Sequence, residues 1–216
     1  MATLVHRIAD GAGTRLFFEV DAAARAAHVA IGQYCPISAG DAQGYFALAS
    51  RPGAERFEFY VAPGGQAADQ LLAAPLGSTF AIAAPAGRGF GIEAALEGTD
   101  DLVVVATGSA LGAVYGAIEA AADGERSVRV YYGCRTLNDA PYQASLAALN
   151  IDLHWVCSQN AAHGQRTGYV QAALAADAVD LKGAWLIACG QGAMQTEAKT
   201  TALALGLTEE RFLTNY

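Results

Sequence analysis

The sequence predicts two domains, an N-terminal antiparallel β-barrel followed by an α/β domain built on an open parallel sheet. Three observations predict this. Residues 1–98 hold short aromatic or β-branched runs punctuated by Gly, Pro, Asp and Asn, the pattern of a small barrel or sandwich. From Asp100 the rhythm changes to apolar runs of strand length alternating with Ala-rich runs of helix length, which implies a parallel sheet covered on both faces. At the head of that second part, Val103–Ala106 empties into Thr107-Gly108-Ser109-Ala110 and then a helical pattern. This is how a buried parallel strand delivers backbone N–H groups to a helix N-terminus.

In the first domain the expected strands are Leu16–Val20, Val29–Tyr34, Tyr45–Ser50, Phe57–Val61 and Thr79–Ala83, with one helix, Ala67–Ala73, after Gly64-Gly65. The polar, turn-forming stretch Glu97-Gly98-Thr99-Asp100-Asp101 marks the boundary, giving domains 1–98 and 99–216. In the second, strands are expected at Leu102–Ala106, Val128–Tyr132, Leu153–Cys157 and Trp185–Cys189. They alternate with helices at Ala110–Ala122, Pro141–Leu149, Tyr169–Ala176 and Gly192–Leu205.

Composition narrows the function. Of 216 residues 53% are hydrophobic and 16% charged, a globular balance with enough chain to bury a core. A net charge of −8 argues against nucleic acid or an anionic membrane surface as partner. No apolar run reaches spanning length and no signal segment is read, so no membrane insertion and a cytoplasmic location are expected. The cysteines Cys35, Cys134, Cys157 and Cys189 show no CxxC spacing. His6, His28, His154 and His163 lack metal-like partners, so surface or capping roles and no metal site are expected. Ser109 has no Gly-x-Ser-x-Gly setting, which disfavours hydrolase chemistry.

Open parallel sheets bind ligands at the carboxyl ends of their strands. Four small or polar turns collect there: Thr107–Ala110, Gly133-Cys134-Arg135, Ser158-Gln159 and Cys189-Gly190-Gln191. Together they favour a dinucleotide site.

With these residues in view the chain resembles the ferredoxin–NADP reductase superfamily, a flavin barrel followed by a nicotinamide domain. It is close to the short plant and bacterial members without a ferredoxin module. The likeness runs through Ile31-Gly32-Gln33-Tyr34, Phe46–Ser50, Gly87-Arg88-Gly89-Phe90, Ala106–Ser109, Tyr131–Arg135, Thr167–Gln171, Cys189–Met194 and the terminal Tyr216. The resemblance implies flavin contacts at Phe46, Ala47, Leu48, Val61, Gly64, Gly65, Ala67 and Ala68. It implies nicotinamide-nucleotide contacts at Thr107, Gly108, Ser109, Ala110, Arg135, Ser158, Gly190, Gln191 and Met194. Cys189 would stand beside the reactive nicotinamide carbon, and Tyr216 would cover the flavin face.

The chain departs from the superfamily's Arg-x-Tyr-Ser pattern, with Gly44, Phe46 and Ala47 at those positions, and has Ala68 where a Ser would bind the diphosphate. Losing a charge-assisted contact removes about 1.5–3 kcal/mol, so FAD is expected to be held weakly or lost in purification. Gln159 in place of a cation leans toward NADH over NADPH, with Arg135 and Arg166 as the cations available to a 2′-phosphate. The implied activity is flavin-dependent NAD(P)H oxidation, with electrons passed to an acceptor the sequence does not identify. The alternative is a non-catalytic reductase-like subunit or nucleotide-binding module with a degenerate flavin site. An apolar Ala-rich surface could support a homodimer.

Overall fold

The computed structural model describes residues 1–159 and 165–215. The first half is a six-stranded antiparallel sheet, and the second is a six-stranded parallel sheet with helices on both faces. The first sheet contains β1 (Ala2–Asp10), β2 (Gly13–Glu19), β3 (Tyr34–Ala39), β4 (Ala42–Ala47), β5 (Arg56–Val61) and β6 (Thr79–Ile82). Their spatial order is β4-β3-β6-β1-β2-β5. Its two ends meet only at an isolated bridge between Leu48 and Phe59, so the sheet curls around the core of Leu4, Leu16, Phe18, Ile37 and Phe59. The helices of this half are α1 (Ala22–Ala27), α2 (Gln66–Ala73) and α3 (Glu93–Glu97).

The second half contains β7 (Leu102–Thr107), α4 (Ala110–Ala122), β8 (Val128–Cys134), α5 (Gln143–Ala147) and β9 (Asp152–Cys157). It continues with β10 (Arg166–Thr167), α6 (Val170–Asp177), β11 (Trp185–Cys189), α7 (Gly192–Ala204) and β12 (Phe212–Leu213). The order β10-β9-β8-β7-β11-β12 puts the switch point between β7 and β11. Helices α6 and α7 cover one face through Val103, Tyr131, Leu174 and Ala198. On the other face Val104, Tyr132 and α4 join a cluster that also takes in Ile31, Ala49, Tyr60 and Phe90 of the first half.

That shared cluster depends on small residues. A Cβ on Gly112 would lie 2.6 Å from Tyr60 Cβ, and one on Gly116 would lie 3.1 Å from the Ala49 carbonyl oxygen. Helix α4 can approach the first sheet because these two positions carry no side chain. The Ala-rich surface of α4 is therefore buried within the chain.

A polar network locks the same contact. Arg15 Nε meets Glu58 Oε1 at 2.6 Å, with both side chains nearly buried. The Tyr142 hydroxyl donates to the same Glu58 oxygen at 2.8 Å, and Tyr142 N–H donates to Asp10 Oδ2 at 2.9 Å. The Tyr142 ring stacks on Tyr115 with centroids 4.3 Å apart, and the Arg15 guanidinium lies 4.4 Å from the Tyr142 ring centre and 5.9 Å from that of Tyr115.

Several elements differ from the sequence expectation. The strand expected at Val29–Tyr34 is a loop as far as Gln33, with Tyr34 opening β3, because the buried Gln33 amide accepts from Val29 and Ala30 N–H and donates to the Gly87 carbonyl. Strand β1 lay hidden by His6 and Arg7; the Arg7 guanidinium reaches the Leu72 and Ala74 carbonyls at the end of α2. Helix α1, capped by Asp21, and the short α3 were also unread. The helix expected at Pro141–Leu149 shrinks to α5, because Tyr142 adopts a left-handed φ of 58° to reach Asp10 and Glu58.

Two substitutions test this packing by urea denaturation. Gly112→Ala gains about 1 kcal/mol of helix propensity but overpacks Tyr60 at a cost of about 1–3 kcal/mol, so a lower midpoint is expected. Glu58→Gln leaves the Arg15 charge nearly buried without its counter-ion, and a loss of about 3 kcal/mol is expected. An unchanged midpoint in either variant contradicts the packing described.

Candidate functional site

A cleft of about 1140 Å³ lies where the carboxyl ends of β7, β8 and β11 face β4, β5 and the start of α2. It brings together most of the residues singled out from the sequence. On its walls are Phe46, Ala47, Val61, Gly64, Gly65, Ala68, Thr107, Gly108, Ser109, Ala110, Arg135, Ser158, Cys189, Gly190, Gln191 and Met194. Leu48 and Ala67 are placed in the core beneath it instead, since both side chains turn inward from their strand or helix. Tyr216 lies outside the described residues.

The turn after β7 is shaped by Gly108, whose φ of +58° leaves Ser109 and Ala110 free to take helical angles. Ala110 therefore needs no positive φ. Gly108 N–H donates to the Gly133 carbonyl at 3.1 Å, and the Tyr132 hydroxyl donates to the Gly108 carbonyl at 2.9 Å. Across the switch point, Gly190 has φ +146°, and any Cβ there would collide with Thr107 Oγ1 and stand 2.9 Å from Met194 Cε. The turn is held by the buried Gln195, which donates to the Gly190 carbonyl at 2.8 Å. Thr107 Oγ1 is itself buried with no hydrogen-bond partner among the described residues. Gly190 thus lets the turn after β11 close directly onto the end of β7.

Cys189 is buried, and burial pushes its thiol up to about 12. At neutral pH it is a neutral thiol, 3.9 Å from Asn215 Oδ1, suited to packing and not to nucleophilic attack. Asn215 Nδ2 also reaches the Gly32 carbonyl at 3.5 Å, tying the chain end to the first half.

Among the described lining residues Arg135 is the one cation and Glu197 the one carboxylate. Arg166 is not among them. Its guanidinium is paired with Asp177 at 2.6 Å, and the Tyr131 hydroxyl holds the other Asp177 oxygen at 2.6 Å. The burial cost on Asp177 is outweighed by these bonds, which hold its carboxyl below the usual range.

The first-half wall is aromatic and apolar. A Cβ on Gly44 would lie 2.6 Å from the Phe46 ring and 3.1 Å from Ala67 Cβ, so Phe46 folds over the space that a side chain at 44 would enter. At the start of α2 the Gly64 N–H donates to Asp69 Oδ1 at 3.2 Å. One of the backbone donors that could meet a phosphate is thus already bound to a carboxylate. This wall presents a flat apolar surface and, among its described lining residues, no cation.

Sequence reasoning missed Tyr45, Tyr60, Tyr169, Gln195 and Asn215. Tyr45 and Tyr169 stand 69% and 67% exposed on opposite walls, a rare position for large aromatics and the signal that could have found them. Among the described residues no group of three His, Cys, Asp or Glu is placed to hold a metal, and no helix is long and apolar enough to cross a membrane.

The fold has counterparts among known proteins. Residues 104–200 match the family model of the oxidoreductase NAD-binding domain. No curated protein matches the sequence. Among solved structures, the chain is similar to a cytochrome P450 reductase from Amycolatopsis, with TM-score 0.88 and 20% identity over 99% of this chain and 68% of that one. It is similar to the ferredoxin reductase in carbazole 1,9a-dioxygenase, with TM-score 0.85 and 17% identity over 99% and 68%. It is also similar to a ferredoxin NADP+ reductase from Neisseria gonorrhoeae with bound FAD and NADP, with TM-score 0.83 and 13% identity over 99% and 96%.

The Cys189 environment is testable by peptide mapping after iodoacetamide at neutral pH. Cys189 is expected to stay unlabelled in the folded protein and to label on unfolding. Rapid labelling of the folded chain contradicts a buried thiol.

Proposed function

We propose that this chain, which has the two-domain fold of the ferredoxin–NADP reductases, is a flavin-dependent NAD(P)H oxidoreductase. The observation that carries the reading is the single cleft joining the switch point of the parallel sheet to an aromatic wall of the first sheet. Residues 1–98 supply the flavin side and residues 99–216 the nicotinamide side. Together, a nicotinamide and a flavin supply hydride transfer followed by release of electrons to an acceptor.

The chain's own contribution is binding, orientation and exclusion of water. Ser109 and Ala110, at the head of α4, present backbone N–H groups to a diphosphate, and the turn at Gly190 lies beneath a nicotinamide ribose or ring. Cys189 offers a small uncharged surface beside it. Arg135, exposed at the end of β8, is the cation for the adenosine end. With Arg166 engaged by Asp177, the site favours NADH over NADPH. Phe46, Ala47 and Val61 form the wall for the flavin ring. Ala47 has no hydroxyl to offer the ring edge, and Gly44 no charge for the diphosphate, so FAD binds weakly.

A second reading is favoured by the Phe46 fold-over and the Asp69 contact at Gly64, which together fill and charge the diphosphate position against FAD. On that reading the chain binds nicotinamide nucleotide without flavin.

Titration separates the two. The purified protein is expected to develop flavin absorbance with excess FAD, and anaerobic NADH is expected to bleach it. Absence of flavin binding at saturating FAD overturns the enzyme reading, and NADH binding in that protein establishes the second. Asp69→Asn keeps the shape of α2 and removes the exposed charge beside Gly64. It is expected to tighten FAD about two- to threefold, a gain of about 0.5 kcal/mol.

A further inference from the structure

Two thiols stand together on the nucleotide side of the cleft, and the reading above does not use them. Cys134 ends β8 and Cys157 ends β9, and the two are paired in register on adjacent parallel strands. Their Sγ atoms are 3.7 Å apart. Neighbouring strands lie about 4.8 Å apart, which falls inside the roughly 4.4–6.8 Å between Cα atoms that a disulfide spans. In-register residues also point to the same face, so each sulfur needs to move less than about 1 Å to reach bonding distance. Cys134 lines the cleft, where a small oxidant can reach it. Cys157 is fully buried behind it, its thiol donating to Gln165 Oε1 at 3.2 Å. One accessible sulfur backed by one protected sulfur is the arrangement of an attacking and a resolving cysteine.

We propose that Cys134 and Cys157 form a redox-active dithiol that a hydroperoxide closes to a disulfide, altering the nucleotide side of the cleft. Cys134 sulfur attacks the O–O bond of the hydroperoxide, forming a sulfenic acid and releasing an alcohol, or water from hydrogen peroxide. Cys157 sulfur then displaces water from the sulfenic acid, and the S–S bond forms. Two thiols give up two electrons and two protons, and the hydroperoxide takes both pairs. A small dithiol reverses the change by exchange. Burial and the adjacent Cys157 push the Cys134 thiol up to about 12, so the first step is slow and the assay is run to completion.

The pair is wired to the site. Ser158 N–H donates to the Cys134 carbonyl at 2.9 Å, and Gln159 N–H donates to the Arg135 carbonyl at 2.8 Å. Drawing the sulfurs together twists these two strand ends and moves Arg135 and Ser158. That consequence rests on the nucleotide reading, whereas the thiol chemistry does not.

The full-length protein is treated with excess hydrogen peroxide, denatured, and its remaining thiols titrated. The thiols are expected to fall from four to two, with a Cys134–Cys157 peptide lighter by two hydrogens and restored by dithiothreitol. Cys134→Ser is expected to abolish the linked peptide. Phenylarsine oxide, whose trivalent arsenic bridges paired thiols, is expected to bind the untreated wild type and to protect both cysteines from peroxide, a readout that needs no variant to fold. Four thiols surviving prolonged peroxide, or Cys134 oxidised to a sulfinic acid with Cys157 free, overturns the proposal. NADH affinity is compared in the reduced and oxidised protein, and a loss of about fivefold or more is expected. Equal affinity overturns the effect on the cleft. Failure of the reduced protein to bind NADH refutes the nucleotide reading, while the thiol count still decides the dithiol.

Discussion

The cleft exists because one nearly buried carboxylate, Glu58, is shared by Arg15 of the first sheet and Tyr142 of the second half. Ion pairs taken out of water gain little net stability over apolar packing, but removing one partner is costly, so they restrict a fold to one arrangement. Here the arrangement is the angle between two sheets. Tyr142 takes a left-handed backbone to reach Glu58 and Asp10, and its ring stacks on Tyr115 with the Arg15 guanidinium close to both rings. Behind it, Gly112 and Gly116 let α4 lie directly on Tyr60 and Ala49. Polar specificity and small-residue packing together set the walls of the cleft at a fixed separation.

What the walls carry follows from where charge is spent. Arg166, Arg15 and Arg7 are all engaged by Asp177, Glu58 or backbone carbonyls. Among the described lining residues that leaves Arg135 to face a ligand. The site therefore leans on backbone groups at glycine turns and on aromatic surface. The two halves differ in this respect. The turn after β7 sets Ser109 and Ala110 at the head of a long helix on the cleft wall, whereas the start of α2 has spent a donor on Asp69.

Legibility in the sequence followed periodicity. The limits of α4 and β11 were readable to the residue, because an Ala-rich helix after a Gly turn and a five-residue buried strand leave little freedom. Strand β1 was not readable, since His6 and Arg7 interrupt its apolar alternation; Arg7 reaches the distant end of α2, and His6 packs on Phe17 of β2. Val29–Tyr34 has strand-like residues but lies in a loop because Gln33 bridges two loops through its amide. In the site, the glycine turns were legible from their own residues. Asn215 and Tyr60 were not, as each acts through a partner far away in the chain, and Gln195 was not, because only the fold of the turn at Gly190 brings that carbonyl within its reach.

By itself the sequence determined the two sheets, their change of rhythm near Asp100, and the set of turns that meet at one sheet edge. These are local properties, written in side-chain period and glycine placement. Only the tertiary structure decided which of those residues share a cleft, that Leu48 and Ala67 turn into the core, and that Arg166 is taken by Asp177. It also decided that Cys134 and Cys157, distant in the chain, stand 3.7 Å apart. Register between strands and competition for a charge are settled by partners far along the chain, and no local pattern encodes them.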